Sequence, residues 1–183
     1  MPFTTMHPVI QILIAALVVI AGVYDILYRR IPNWLVLPCW VGGFVVNAFL
    51  ASSWIEGLKT AGLGFGLAML IYMPLYLLRG MGAGDVKLMA ALGAFAGPVA
   101  WLFIFLFSGI VGGVVALIMM VVHRRFGKTL RNMFLILWDM LHFRAPYGRA
   151  ELDVSNPKSL RLPYGAVVAL GCLAFLGVRP LMG

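Results

Sequence analysis

Long apolar stretches, separated by short basic or glycine-rich turns, constrain this chain more than any other feature of its sequence. A helix that crosses the hydrocarbon core of a bilayer needs about 20 mostly apolar residues. The block from Pro8 to about Tyr28 meets this, as does the block from about Leu58 to Leu78, and a block from about Trp34 to Ala51 lies between them. Val86 to Ala96 is short for a full span, so it either dips partway or borrows length from the glycine-rich loop before it. Gly97-Pro98 then starts a long fifth block, about Val99 to Val122, and a sixth runs from about Pro163 to Val178, with Pro163 suited to a first helical turn. The first block should end at the Arg29-Arg30-Ile31-Pro32-Asn33 turn, because the residue before a proline is pushed out of the helical region. Pro74 should kink the third helix, while Gly62 and Gly66 allow a neighbour to come close. Of the 183 residues 63% are hydrophobic and only 11% charged, against about a quarter charged in soluble domains. Lipid is therefore the expected solvent. The expected fold is all-α, a polytopic membrane protein with about six transmembrane helices in one membrane-embedded domain over residues 1–183.

The net charge of +8 does not point to nucleic acid, because the basic residues sit in the gaps between apolar blocks. If the Arg29-Arg30 loop faces the cytoplasm, so do the 79–87 loop and the 123–162 segment. Together these hold 12 of the 14 basic residues, Lys59 and Arg179 being the exceptions. That asymmetry orients the chain with both termini outside. It places Trp54 and Trp101 at the outer interface and Trp34 at the inner one. The N-terminus lacks a basic n-region and a small-residue cleavage site, so the first block reads as a retained helix. Within 126–143, Phe126, Leu130, Met133, Phe134, Leu137, Trp138 and Leu141 recur at spacings of three and four, opposite Lys128, Arg131, Asn132, Asp139 and His142. This is the pattern of an amphipathic helix on the cytoplasmic membrane surface, although docking to a partner's helix would give the same one. Residues 144–158 read as an exposed loop. Cys39 and Cys172 lie inside apolar blocks without a CxxC, so buried, unreactive thiols are expected.

Two of the six acidic residues stand where acids are expensive. Asp25 lies in the last turn of the first apolar block, and Asp85 follows Gly82-Ala83-Gly84 at the opening of the fourth. A charged side chain at the bilayer centre costs about 2.5–3.5 kcal/mol on insertion scales, and less near the interface. Taken singly, Asp85 could be a helix N-cap and Asp25 a snorkelling acid near Arg29. Both, however, land at the same depth near the cytoplasmic face, on helices running in opposite directions, so the carboxyl groups can converge. Two carboxyl groups brought close do not easily both ionise; one keeps a proton and the other does not. The ionised member can then take a proton from an attacking water while the other donates toward an amide carbonyl. Glycines at 80, 82 and 84 would let the loop backbone approach a substrate strand. Rival chemistries lack parts: His7, His123 and His142 are scattered without an HExxH, so no metal is expected, and Ser108 has no histidine partner. Lys87, two residues from Asp85, falls nearly opposite it on a helix.

The stretch Asp25-Ile-Leu-Tyr-Arg-Arg-Ile31-Pro32-Asn33, followed by Gly82-Ala83-Gly84-Asp85-Val86-Lys87-Leu88, resembles the paired signature of type IV prepilin peptidases, the GxGD-type aspartyl proteases of prokaryotic cytoplasmic membranes. Leu162-Pro163-Tyr164-Gly165 resembles their third element, entering the last helix. The resemblance implies that Asp25 and Asp85 form a catalytic dyad and that Gly82, Gly84, Ile31, Pro32, Asn33, Pro163, Tyr164 and Gly165 contact substrate. It implies a prepilin or pseudopilin as substrate, cleaved on the cytoplasmic side after a glycine that precedes a hydrophobic helix, without a cofactor. Larger members carry an N-terminal region with paired CxxC motifs and also methylate the product. This sequence resembles the small Tad/Flp-type members, so peptidase without methyltransferase is expected. The GxGD feature and a Tyr-Asp pair like Tyr24-Asp25 also occur in presenilin-type intramembrane proteases, and a small channel or assembly subunit could use the aspartates for ion passage.

The charge count predicts sidedness. Single cysteines at Ser53 and Ser155, in a background lacking Cys39 and Cys172, should label from opposite faces of intact cells. Ser53→Cys should react from outside and Ser155→Cys only after permeabilisation; labelling of both from one side contradicts the topology.

Overall fold

With no water in a bilayer core to bond free N–H and C=O groups, a spanning backbone must satisfy itself. The computed structural model describes residues 6–77, 81–122 and 163–179, and every regular element among them is helical. These elements are α1 (Pro8–Tyr28), α2 (Asn33–Leu50), α3 (Trp54–Leu77), α4 (Ala83–Val122) and α5 (Tyr164–Val178). The first four are long and apolar enough to cross a membrane, and the 15-residue α5 is shorter. Five elements stand where six blocks were expected because the fourth and fifth are limbs of α4, broken at Gly97 (φ 72°, ψ 173°). The first limb begins at Ala83, so it does take length from the glycine-rich turn. The surface helix expected at 126–143, the loop at 144–158 and Gly80 lie outside the described residues.

The exterior is apolar. Phe49, Leu70, Val121 and Val122 are among many large hydrophobic residues left exposed, while Asp25, Asn47 and Ser108 are buried. That inversion suits a protein solvated by lipid tails. Where helices touch, small residues let backbones meet, since van der Waals contact must replace the hydrophobic effect. A Cβ on Gly64 of α3 would overlap the Gly93 carbonyl of α4, and one on Gly43 of α2 would lie 2.7 Å from the Ala94 Cβ. The close approach of α3 to α4 is therefore at Gly64, not at the expected Gly62 and Gly66. Gly66 has no neighbour within 4 Å of a Cβ position, and Gly62 has only the Phe44 ring edge at 3.8 Å.

The break in α4 exposes a backbone problem and shows its solution. Pro98 has no N–H, so the Ala94 carbonyl loses its helical partner, and the turn at Gly97 disturbs the next bond. The buried Asn47 amide nitrogen donates to the carbonyls of Ala94 (2.8 Å) and Phe95 (3.0 Å), and to Gly43 of its own helix (3.0 Å). Beyond the break the chain folds back: the Trp101 indole Nε1–H donates to the Met89 carbonyl at 2.9 Å. Trp101 is fully buried, which corrects the expectation that it belongs to the outer aromatic belt. Its N–H finds a buried carbonyl in place of an interfacial water, and its ring stacks on Phe105 (centroids 5.6 Å apart).

Antiparallel α1 and α5 close the bundle along their whole length. Arg179 donates to the Met6 carbonyl (3.2 Å) at one end, and Gly22 faces Ala169 further along. At the other end the contact is between Gly165 and Asp25.

Asn47→Leu is nearly isosteric but leaves the Ala94 and Phe95 carbonyls unpaired in the interior. It should destabilise the protein by about 1–3 kcal/mol, read as a lower thermal unfolding midpoint in detergent. An unchanged midpoint would remove Asn47 from this role.

Candidate active site

The last turn of α1 ends because Arg29 takes the left-handed conformation (φ 53°, ψ 33°), with its N–H on the Asp25 carbonyl at 2.9 Å. Asp25 itself turns inward and is 7% exposed. Its Oδ2 accepts the Gly165 backbone N–H at 2.7 Å. Gly165 lies in the first turn of α5, where N–H groups have no partner within the helix and the helix dipole favours an anion. The carboxyl group of one helix thus caps the next. A side chain at that contact would press on Asp25, since a Cβ on Gly165 would lie 3.0 Å from the Asp25 Cβ and 3.1 Å from its Oδ2.

Asp85 is the third residue of α4 and half-buried. The Gly82 carbonyl accepts both the Asp85 N–H (3.1 Å) and the Val86 N–H (3.4 Å). Gly82, not Asp85, therefore occupies the capping position. The Asp85 carboxyl group folds back over it, with Oδ2 3.1 Å from where a Gly82 Cβ would be and the Gly82 backbone as hydrogen-bond partner. This is the geometry of an acid at the third helical position reaching back to the cap. The Asp25 and Asp85 carboxyl groups lie within electrostatic reach of each other. They come from the C-terminal turn of one helix and the N-terminal turn of another.

The flanking residues are tied together by contacts within the protein. Ile31 is buried against Gly84, where a Cβ would lie 3.1 Å from the Ile31 Cβ. The Lys87 ammonium donates to the Asn33 side-chain oxygen (2.9 Å), and the Trp40 indole donates to the Lys87 carbonyl (2.8 Å). The two sequence elements are thereby bolted to each other, and Lys87 is directed to Asn33. Pro32 and Pro163 take the capping positions of α2 and α5, and the Pro163 carbonyl accepts from Ala166 and Val167. Gly82 is exposed and Tyr164 half-buried.

Tyr72 of α3 went unnoticed in the sequence. It is 1% exposed, its hydroxyl lies 2.9 Å from that of Tyr164, and both phenols are within electrostatic reach of Asp85. A phenol inside an apolar block needs a buried partner, and that need was the available signal. Among the described residues no group of three or more His, Cys, Asp or Glu side chains gathers to hold a metal.

Among known proteins, the chain is 34% identical over 100 residues to a prepilin leader peptidase/N-methyltransferase of Stutzerimonas stutzeri. That match takes in 52% of this chain and only 35% of the relative. No solved structure matches significantly. The profile of the type IV leader peptidase family matches residues 12–117, a stretch that contains both aspartates, the Ile31-Pro32-Asn33 turn and the Gly82–Asp85 turn but not Pro163–Gly165. With more than half of its length so matched, the chain belongs to the type IV leader peptidase family.

Proposed function

We propose that this chain is an aspartyl endopeptidase of a prokaryotic cytoplasmic membrane that removes the leader from prepilin-like proteins, with Asp25 and Asp85 as its catalytic pair. One observation carries the reading: the acids in the C-terminal turn of α1 and the N-terminal turn of α4 have their carboxyl groups within electrostatic reach. Carboxyl groups so placed share a proton more readily than each ionises. The ionised member accepts a proton from water as its oxygen attacks the scissile carbonyl, and the protonated member donates toward the carbonyl oxygen. When the tetrahedral carbon collapses, the amine leaves with a proton from the pair.

Substrate approaches over the exposed Gly82, where the missing side chain leaves the backbone of the turn accessible. Gly84, Ile31, Pro32 and Asn33 hold that turn from behind, and Pro163, Tyr164 and Gly165 bound the site on the α5 side. In the membrane, both limbs of α4 and the short α5 cross along with α1–α3, giving six spans. The arginine-rich connections and the site face the cytoplasm.

Asn is nearly isosteric with Asp and still accepts a hydrogen bond, but it cannot exchange the proton. Asp25→Asn should keep the bond from Gly165, and Asp85→Asn the fold of the turn. Each should nevertheless lower cleavage of a purified prepilin, read by mass, by at least about a hundredfold, the scale of general acid–base catalysis. The double substitution should be no worse than either single one, as for groups acting as a unit. Substantial cleavage by either folded single variant would end the dyad reading.

A further inference from the structure

The Tyr72–Tyr164 contact joins the interior of the bundle to the edge of the site. The Tyr72 ring is fixed by packing: it meets Trp101 edge-on at 6.1 Å and Phe105 edge-on at 6.0 Å. Trp101 is anchored in turn on the Met89 carbonyl. Phe would fill the same space without a polar atom to bury, so a hydroxyl in this cluster calls for a reason. Its partner, Tyr164, is the half-buried first residue of α5, immediately before the Gly165 whose N–H holds Asp25. The rigid member of the pair is Tyr72 and the positioned member is Tyr164. Each phenol can donate once and accept. Their mutual bond uses one O–H and leaves the other, and Asp85 lies within electrostatic reach of both rings.

We propose that Tyr72 is a positioning residue for the aspartate pair, acting through the Tyr164 hydroxyl to fix the start of α5 and the Gly165 N–H that holds Asp25. This rests on the peptidase reading and adds to it a residue from α3. Through Tyr72 the register of α3 in the bundle is coupled to the geometry of the site. A loose α5 start lets the Asp25 carboxyl group wander from the orientation in which it faces Asp85, and turnover falls without loss of substrate binding.

The test compares Tyr72→Phe, Tyr164→Phe and the double variant with wild type and Asp25→Asn, all purified in detergent. Tyr72→Phe keeps the ring in its aromatic cluster and removes only the bond. We expect kcat to fall about five- to tenfold, the equivalent of one hydrogen bond, with KM within about twofold. Tyr164→Phe should match it, and the double variant should be no worse than either. A purely structural bond would lower the unfolding midpoint and leave kcat of the folded enzyme intact. A second measurement needs no substrate: the rate at which a hydrophobic carbodiimide modifies Asp25 at fixed pH, located by mass spectrometry, should change severalfold in Tyr72→Phe. Wild-type kcat together with a wild-type modification rate overturns the proposal. If Asp25→Asn retains cleavage the peptidase mechanism fails, and the modification rate still decides the role of Tyr72. Should Tyr72→Phe fold poorly, Tyr164→Phe carries the same expectation, because it breaks the bond from its half-buried end.

Discussion

A helix leaves its first N–H groups without partners of its own, and at the start of α5 the Gly165 N–H is buried away from solvent. Asp25 of α1 supplies the missing acceptor at Gly165. The same requirement recurs wherever the backbone ladder is interrupted. Asn47 serves the carbonyls freed at Gly97-Pro98, Trp101 reaches back to Met89, and Gly82 and Asp85 satisfy each other at the start of α4. Each break in regular structure thus becomes a fixed point, and two of those points are the candidate catalytic acids. Their carboxyl groups are structural acceptors for backbone N–H groups, which explains how acids are retained in so apolar a chain.

Close packing turns these local solutions into one site. Because α3 meets α4 through Gly64 and Gly93, and α2 meets it through Gly43 and Ala94, the first limb of α4 sits against two neighbours with at most a methyl group between. The aromatic cluster of Tyr72, Trp101 and Phe105 then fills the space enclosed by the fold-back of α4. The C-terminal turns of α1 and α3 consequently gather with the N-terminal turns of α4 and α5 at one end of the bundle. Two helix starts there direct their dipoles at carboxyl groups.

The turn residues around the two aspartates acquire separate physical tasks in this arrangement. Ile31 against Gly84 and Asn33 with Lys87 join the end of α1 to the start of α4 across more than fifty residues of chain. Gly165 lets α5 come within a backbone's width of Asp25. Gly82 is exposed at the turn, its carbonyl accepting the Asp85 and Val86 N–H groups.

By itself the sequence determined where the described helices lie along the chain, that four of them are long and apolar enough to cross a membrane, and which two acids stand at the ends of apolar runs. Those are one-dimensional properties: a run of apolar residues has a length, and an acid within it has a position. The bounds of α1 were legible to the residue, and the interruption at Gly97-Pro98 was legible because proline lacks an N–H and glycine accepts positive φ. Lateral neighbours were not legible, because a helix that is apolar all round carries no stripe to mark its inner face. Only the tertiary structure could choose Gly64 over Gly62 and Gly66 as the contact with α4. It alone could turn Trp101 inward from the interface and set the Tyr72 hydroxyl against Tyr164. In lipid the apolar surface does not say which side faces protein; that is decided by where two backbones can touch and where each stranded polar group finds its partner.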